Sequence, residues 1–275
     1  MTGVAASLAA AAARPIGVFD SGVGGLTVLR ALRERLPAES FLYLGDTARL
    51  PYGTKSEHTV VRYALQAADA LVARDIKCLV IACNTASAVA LPAMRERYAD
   101  CPVIGVIGPG ARAACAASVS GRIAVLATEA TVRGGAYQRA ILELRPDAQV
   151  TSLACGMFVA LAEEGWTEGP IALQVAQRYL ERLGTGPTLD VDTLVLGCTH
   201  FPALAQVIAQ AAGPGVQIVD SAATAAATVE EELAARGLLL AAGSGGPDGP
   251  ERFAGVGGRF LGAPLRVDDV ELVDI

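Results

Sequence analysis

The sequence predicts an α/β protein of two similar, doubly wound and mainly parallel lobes, related by pseudo-twofold symmetry. First, apolar runs alternate with longer amphipathic runs along the 275 residues, as in successive βαβ units. Second, the apolar runs are continuous, as expected for strands of a parallel sheet that is buried on both faces. Third, the runs form two matching sets of four, and the third run of each set ends in cysteine.

The eight strands and seven helices follow from this alternation. We expect strands at 15–20, 40–46, 78–83, 103–107, 122–128, 148–154, 193–198 and 216–220. We expect helices near 24–35, 57–73, 86–99, 131–143, 170–184, 201–211 and 221–236. The predicted first lobe comprises 14–109 and 221–275, the second comprises 110–220, and 1–13 form a disordered tail.

The composition excludes several classes of protein. Hydrophobic residues are 52% and charged residues 18%, which favours a tightly packed enzyme. The net charge is −6 without a basic block, so nucleic acid is not an expected partner. No apolar run reaches the roughly 18–20 residues that span a membrane, and no secretory signal is visible. We therefore expect a cytoplasmic protein with reduced cysteines and, given two histidines and no C-x-x-C pair, no metal site.

Two cysteines stand at the ends of two similar strands, in "LVIACNTA" (79–86) and "LVLGCTHF" (194–201). If the lobes face each other, Cys83 and Cys198 approach one ligand from opposite sides. A thiol with the reference pKa of about 8.5 has both protonation states accessible near working pH. The pair therefore suits a two-base reaction that inverts one carbon centre, whereas a lone buried cysteine is usually a small hydrophobe.

Other polar residues follow the predicted strands. Asp20 precedes a glycine-rich turn, "FDSGVGGL" (19–26), whose N–H groups could hold a carboxylate or merely form a tight turn. Asn84 and Thr85 follow one cysteine, and Thr199 and His200 follow the other; each could bind a ligand or cap a helix.

With these stretches assembled, the chain resembles the glutamate racemases of the cofactor-independent aspartate/glutamate racemase superfamily. The motifs are "GVFDSGVGGLTVL", "YLGDTARLPYGTKS", "LVIACNTASA", "VIGVIGPG", "ATEATV" and "LVLGCTHFPAL". The resemblance implies an enzyme that interconverts L- and D-glutamate without a cofactor, with its active site in the cleft between the two lobes. Such an enzyme would supply D-glutamate for peptidoglycan synthesis. It implies these catalytic residues: Cys83, Cys198, Asp20, His200 and Glu163. It implies these substrate contacts: Asp20, Ser21, Tyr52, Gly53, Asn84, Thr85, Thr131, Thr199 and His200. We also expect a homodimer.

One motif departs from the family pattern. The stretch "CGMFVAL" has Gly156 and Ala160 where the family usually has proline, and spacing alone does not choose between Glu163 and Glu164 as the assisting acid. Two other functions stay open: a sister racemase that acts on aspartate, a hydantoin or another 2-substituted acid, and a non-catalytic amino-acid-binding or redox thiol protein. His200 after Cys-Thr resembles the glutamate enzymes, because aspartate racemases tend to have glutamate there.

Overall fold

The computed structural model describes residues 2–184 and 189–240 and contains two parallel four-stranded sheets within them. In the first sheet the order is β2-β1-β3-β4, with β1 (Ile16–Asp20), β2 (Phe41–Gly45), β3 (Cys78–Ile81) and β4 (Val103–Gly105). In the second the order is β6-β5-β7-β8, with β5 (Arg122–Ala127), β6 (Gln149–Ala154), β7 (Thr193–Gly197) and β8 (Gln217–Asp220). Both sheets have one topology, and the predicted fold class is confirmed.

Twelve α-helices occur in the described part of the chain. They are α1 (Thr2–Ala12), α2 (Leu26–Arg35), α3 (Glu57–Val72), α4 (Asn84–Val89), α5 (Leu91–Arg97), α6 (Ile107–Ala117), α7 (Glu129–Gly134), α8 (Ala136–Leu144), α9 (Gly156–Glu164), α10 (Gly169–Leu180), α11 (Ala205–Ala212) and α12 (Ser221–Ala235). Short 3₁₀ turns lie at Tyr52–Thr54, Glu181–Leu183 and Phe201–Leu204. None of the described helices is long and apolar enough to cross a membrane.

Two predicted helices are each divided in two. The segment 86–99 is interrupted at Ala90, which ends α4 and begins α5. Pro92 in the first turn of α5 has no N–H to continue the hydrogen bonds of α4. The segment 131–143 is interrupted at Gly135, whose φ of 62° lies in the left-handed region, where glycine is the favoured residue.

The N-terminal segment and α6 also differ from the expectation. Residues Thr2–Ala12 form α1 where a disordered tail was predicted; alanine, which dominates this stretch, has the highest helix propensity. The helix α6 was not predicted, because its Gly-Pro-Gly start resembles a loop. Pro109 lies in the first turn, where a backbone N–H has no partner within the helix. The predicted lobe border at 109/110 falls inside this helix.

The hydrophobic core is continuous between the two lobes. One cluster contains apolar side chains of β1 and β3, of β5 and β7, and of α2 and α12. The helix α12 packs against both α2 and α6, so it bridges the lobes, whereas 221–275 was assigned to the first lobe alone. Residues 241–275 of that assignment lie outside the described residues.

A buried ion pair lies at the opposite end of the first sheet from the carboxyl ends of its strands. Lys77 precedes β3, Glu39 precedes β2, and their side chains are in contact and each 1% exposed. Lys77 Nζ also donates to the carbonyl of Ala12 at 2.6 Å and to that of Leu238 at 2.9 Å. Glu39 accepts from the backbone N–H of Leu240 at 3.0 Å. One ion pair therefore holds α1 and the segment after α12 against the first sheet.

We expect Lys77→Met to lower the free energy of unfolding by about 3–5 kcal/mol, because it leaves the Glu39 carboxylate buried without its counter-charge. Urea denaturation measures this change. The control is Arg97→Met, which removes an exposed ion pair with Asp69 and should cost about 1 kcal/mol or less. Equal losses in the two variants would contradict the role given to the buried pair.

Candidate active site

The predicted site residues gather at the carboxyl ends of the strands of both sheets, where ligands bind in open parallel sheets. The two edges face each other across a cleft. Thr27 Oγ1, on α2, donates to the carbonyl of Thr199 after β7 at 3.0 Å. On another side of the cleft, Thr85 Oγ1 lies 3.1 Å from the hydroxyl oxygens of Thr128 and Thr131.

Cys83 follows β3 and caps α4. Its sulfur accepts from the backbone N–H of Ala86 at 3.5 Å and donates to Ser21 Oγ at 3.4 Å. Burial, and then the negative charge of Asp20, raises the pKa of the Cys83 thiol to about 12. The pKa expected from the sequence is the reference value of about 8.5. Because the pKa of the buried thiol is about 12, Cys83 is protonated at neutral pH. Cys198 is close enough to contribute to the same rise in pKa.

Asp20 ends β1 beneath the glycine-rich turn and is fully buried. Its Oδ2 accepts from the N–H of Gly22 at 3.0 Å, and its Oδ1 has no hydrogen-bond partner among the described residues. Burial raises the pKa of this carboxyl group, while the charge of His200 and nearby backbone N–H groups oppose the rise. A buried carboxylate oxygen without a donor is a strong acceptor for a cationic ligand group.

Cys198 follows β7 and belongs to a chain of three side chains. His200 Nδ1 lies 3.8 Å from Cys198 Sγ, and His200 Nε2 lies 3.2 Å from Glu163 Oε1 on α9. Burial disfavours the imidazolium, but the bonds to Cys198 and Glu163, with the charges of Cys198 and Asp20, raise the pKa of His200 to about 10. At neutral pH His200 is therefore a cation. The bond from His200 lowers the pKa of Glu163, whereas Glu164 is exposed.

At Gly24 the glycine-rich turn of the first lobe contacts Thr199 and His200, the two residues that follow Cys198. A Cβ atom at this position would lie 2.5 Å from His200 Nδ1 and 2.6 Å from Thr199 Oγ1. Side chains cannot approach so closely, so only glycine allows the backbone of the first lobe to pack directly on the His200 ring. Gly24, which the sequence predicts as part of a turn, is thus required by the contact between the two lobes.

Asn84 and Thr85 place polar atoms in the cleft beside Cys83. Asn84 Oδ1 accepts from the Tyr137 hydroxyl at 2.7 Å, while Asn84 Nδ2 is buried and has no partner among the described residues. The hydroxyls of Thr85, Thr128 and Thr131 lie 3.0–3.1 Å from one another. This wall of the cleft is neutral and can donate hydrogen bonds to an anion.

Tyr52 and Gly53 lie at the first-lobe edge of this wall. A Cβ atom at Gly53 would lie 2.9 Å from Thr128 Cβ, so the Gly53 backbone packs on the threonines. The Tyr52 hydroxyl donates to Asp46 Oδ2 at 2.5 Å, and Asp46 is also paired with Arg49. Because its proton is used there, the Tyr52 hydroxyl does not serve as a donor to the cleft.

Sequence reasoning missed three residues of this region. Tyr137 and Thr27 lie inside helices and form hydrogen bonds with Asn84 and Thr199, which are far away in the chain, so no local pattern marks these contacts. Thr128 is the last residue of the predicted strand 122–128. Its place three residues before Thr131 is the signal that marks it, since the two stand one turn apart at the start of α7.

The model of the Asp/Glu/hydantoin racemase family matches residues 16–229, which include every residue of the site described above. The chain belongs to the Asp/Glu/hydantoin racemase family. The residues that the geometry brings together all lie within the part of the chain that this family model matches.

Known members of this racemase family share both sequence and fold with the chain. The chain is 50% identical over 258 residues to a glutamate racemase of Geobacter metallireducens, covering 92% of this chain and 94% of that protein. The structure of the glutamate racemase isoform RacE1 from Bacillus anthracis superposes with a TM-score of 0.87 at 36% identity, covering 95% of this chain and 98% of that one.

The structure of the Francisella tularensis glutamate racemase in complex with D-glutamate superposes with a TM-score of 0.84 at 36% identity, covering 96% of this chain and 98% of that one. The prediction of an isomerase of the racemase class is confirmed by these relatives.

We expect Glu163→Gln to lower the pKa of His200 below its value of about 10, because an amide oxygen stabilises the imidazolium less than a carboxylate does. The cation is then lost at lower pH, so the alkaline limb of the pH–rate profile moves to lower pH. NMR titration of the imidazole protons measures the shift. Only two histidines are present, and exposed His58 is the internal control. Glu164→Gln is the matched variant; an equal shift in both would contradict the contact.

Proposed function

We propose that this racemase interconverts L- and D-glutamate by two proton transfers at the α-carbon, with Cys83 and Cys198 as the two acid/bases. The observation that carries the proposal is the placement of two buried thiols at equivalent ends of β3 and β7, on opposite sides of one cleft. The relatives support the substrate, since they are glutamate racemases that match more than nine-tenths of the chain.

The proton balance needs only the two sulfurs and the substrate. From L-glutamate, the Cys198 thiolate forms an S–H bond as the Cα–H bond breaks, and the electron pair remains on the substrate as a carbanion. The Cys83 thiol then gives its proton to the opposite face, which yields D-glutamate and a Cys83 thiolate. From D-glutamate the same steps run in reverse with the roles exchanged.

The flanking groups stabilise charge during these steps. The His200 cation beside Cys198 stabilises negative charge on that sulfur. The buried Asp20 carboxylate, with its unpartnered Oδ1, would take the substrate ammonium, whose positive charge offsets the repulsion between Asp20 and a Cys83 thiolate. Polar groups fixed around a dry cleft are also the means of stabilising a carbanion, because they need no reorganisation during the reaction.

The remaining site residues are proposed to bind the two carboxylates. Asn84 Nδ2 and the threonine hydroxyls offer neutral donors on one wall. The backbone of Gly53 lies at the edge of the same wall, and across the cleft lie the Ser21 hydroxyl and the backbone around Thr199. We assign one carboxylate to each wall because hydrogen-bond donors lie on both walls. Among the described residues that line the cleft, His200 carries the only full positive charge, so neutral donors must bind the carboxylates.

We further propose a cytoplasmic homodimer that supplies D-glutamate to peptidoglycan synthesis. The supply of D-glutamate is supported by the bacterial sources of the relatives, because D-glutamate has its general use in the bacterial cell wall. Sedimentation of the purified chain tests the dimer. Rescue of a bacterial D-glutamate auxotroph tests the supply.

We expect Cys83→Ser and Cys198→Ser each to reduce racemisation by about a hundredfold or more, the usual contribution of a general acid or base. When wild-type protein acts in heavy water, deuterium should appear at the α-carbon of the product enantiomer before it appears at the α-carbon of the remaining substrate. Cys198→Ser should retain slow α-exchange only on D-glutamate, and Cys83→Ser only on L-glutamate. Cys155→Ser, another buried thiol at a strand end, should remain active. Full racemisation by either single variant would remove that cysteine from the mechanism.

We expect turnover of L-glutamate to exceed that of L-aspartate by about tenfold or more in kcat/KM, because a cleft with donors on both walls fixes the distance between two carboxylates. Circular dichroism of each amino acid during the reaction measures the two rates. Faster turnover of L-aspartate would favour the sister racemase, and α-exchange on neither amino acid would favour the binding protein.

A further inference from the structure

A buried tyrosine of the second lobe is joined to the first lobe's substrate wall. Tyr137 lies in the first turn of α8, is 2% exposed, and its hydroxyl donates to Asn84 Oδ1 at 2.7 Å. Asn84 is the residue directly after Cys83. The hydrogen bond therefore crosses the cleft to reach the neighbour of the first thiol.

The tyrosine ring is seated beside the second thiol. A Cβ atom at Gly197, directly before Cys198, would lie 3.0 Å from Tyr137 Cε2. A Cβ atom at Gly110, on α6, would lie 3.1 Å from Tyr137 Cε1 and from the hydroxyl oxygen. Two glycines thus leave room for the ring, and the hydrogen bond to Asn84 Oδ1 holds its hydroxyl.

The Asn84 amide has two ends of nearly equal shape and opposite hydrogen-bonding character. Burial raises the pKa of Tyr137, so the hydroxyl stays protonated and requires an acceptor. Asn84 Oδ1 supplies it. The Nδ2 end is thereby turned away from the tyrosine, and it is the buried end without a partner among the described residues.

We propose that Tyr137 is a positioning residue, whose hydroxyl fixes the orientation of the Asn84 amide so that Nδ2 donates to a substrate carboxylate. The inference rests on the proposed function. Without the Tyr137 hydroxyl, the Asn84 amide can turn by 180° and direct Oδ1 at the substrate carboxylate. The two oxygen acceptors then repel each other. Tyr137 thereby makes the wall a donor to an anion, although the tyrosine itself does not contact the substrate.

The test is Tyr137→Phe, which keeps the ring and removes the hydroxyl. We expect KM for both enantiomers of glutamate to rise about tenfold, as for loss of a hydrogen bond to a charged group. We expect kcat to change much less, because a carboxylate contact is made equally in the ground and transition states. Tyr98→Phe is the control: it removes a hydroxyl that donates to Asp69, outside the cleft, and should leave KM unchanged.

A double-mutant cycle separates positioning from general structural damage. In the Asn84→Ala background, Tyr137→Phe should have less than about a twofold further effect on KM, since no amide remains to be oriented. Independent, multiplied effects would overturn the positioning role, as would a wild-type KM in Tyr137→Phe.

Two further measurements keep the test decisive. If Tyr137→Phe does not fold, Asn84→Asp retains the acceptor for Tyr137 and removes the Nδ2 donor; a rise in KM of about tenfold supports the assignment, and an unchanged KM overturns it. Wild-type protein that exchanges no α-proton of glutamate in heavy water overturns the proposed function instead, and this assay is done before any variant is made.

Discussion

The cleft depends on the direct contact between the glycine-rich turn of the first lobe and the Thr199–His200 segment of the second. At Gly24 the backbone of the first lobe comes so close to the side chains of Thr199 and His200 that a single methyl group would overlap the imidazole ring. The Thr27 hydroxyl adds a hydrogen bond from α2 to the carbonyl of Thr199. This contact brings the Asp20 carboxylate and the His200 cation into one electrostatic environment, and with them the two thiols.

The two lobes repeat one topology, yet their thiols have different surroundings. Cys83 lies beside a buried carboxylate and a hydroxyl, and burial together with that charge holds it as a neutral thiol at neutral pH. Cys198 lies beside an imidazolium that is itself held by Glu163. Two lobes of one topology thus surround their thiols with opposite charges, a carboxylate beside Cys83 and an imidazolium beside Cys198. The proposed two-base reaction needs unequal thiols at any instant, since one sulfur must be charged while the other is protonated.

The sequence predicted the strands well because strands buried on both faces are continuous apolar runs that end in polar residues. That rule describes β1, β3, β4, β5 and β7, and it groups strand-end residues such as Asp20, Cys83 and Cys198. The strands β2, β6 and β8 are only partly buried, and their prediction follows from the alternation of strands with helices. It failed where a local signal was ambiguous: Gly-Pro-Gly opens α6 rather than forming a loop, and an alanine-rich stretch forms α1. Tyr137 and Thr27 could not be predicted, because their roles depend on contacts between segments that are distant in the chain. Glu163 was distinguished from Glu164 by packing of α9, which spacing does not specify.

The three threonine hydroxyls of the cleft wall have a further consequence for a ligand that changes its handedness. Each oxygen carries one proton and can both donate and accept, so a triangle of hydroxyls 3.0–3.1 Å apart can be hydrogen-bonded in a clockwise or an anticlockwise sense. If one proton rotates out of the triangle, one hydroxyl–hydroxyl hydrogen bond is lost and a donor points into the cleft, with every heavy atom in place. A wall built from such rotors can donate in more than one direction, whereas a backbone N–H has one direction only. The wall can therefore stay rigid while the molecule that it holds is inverted.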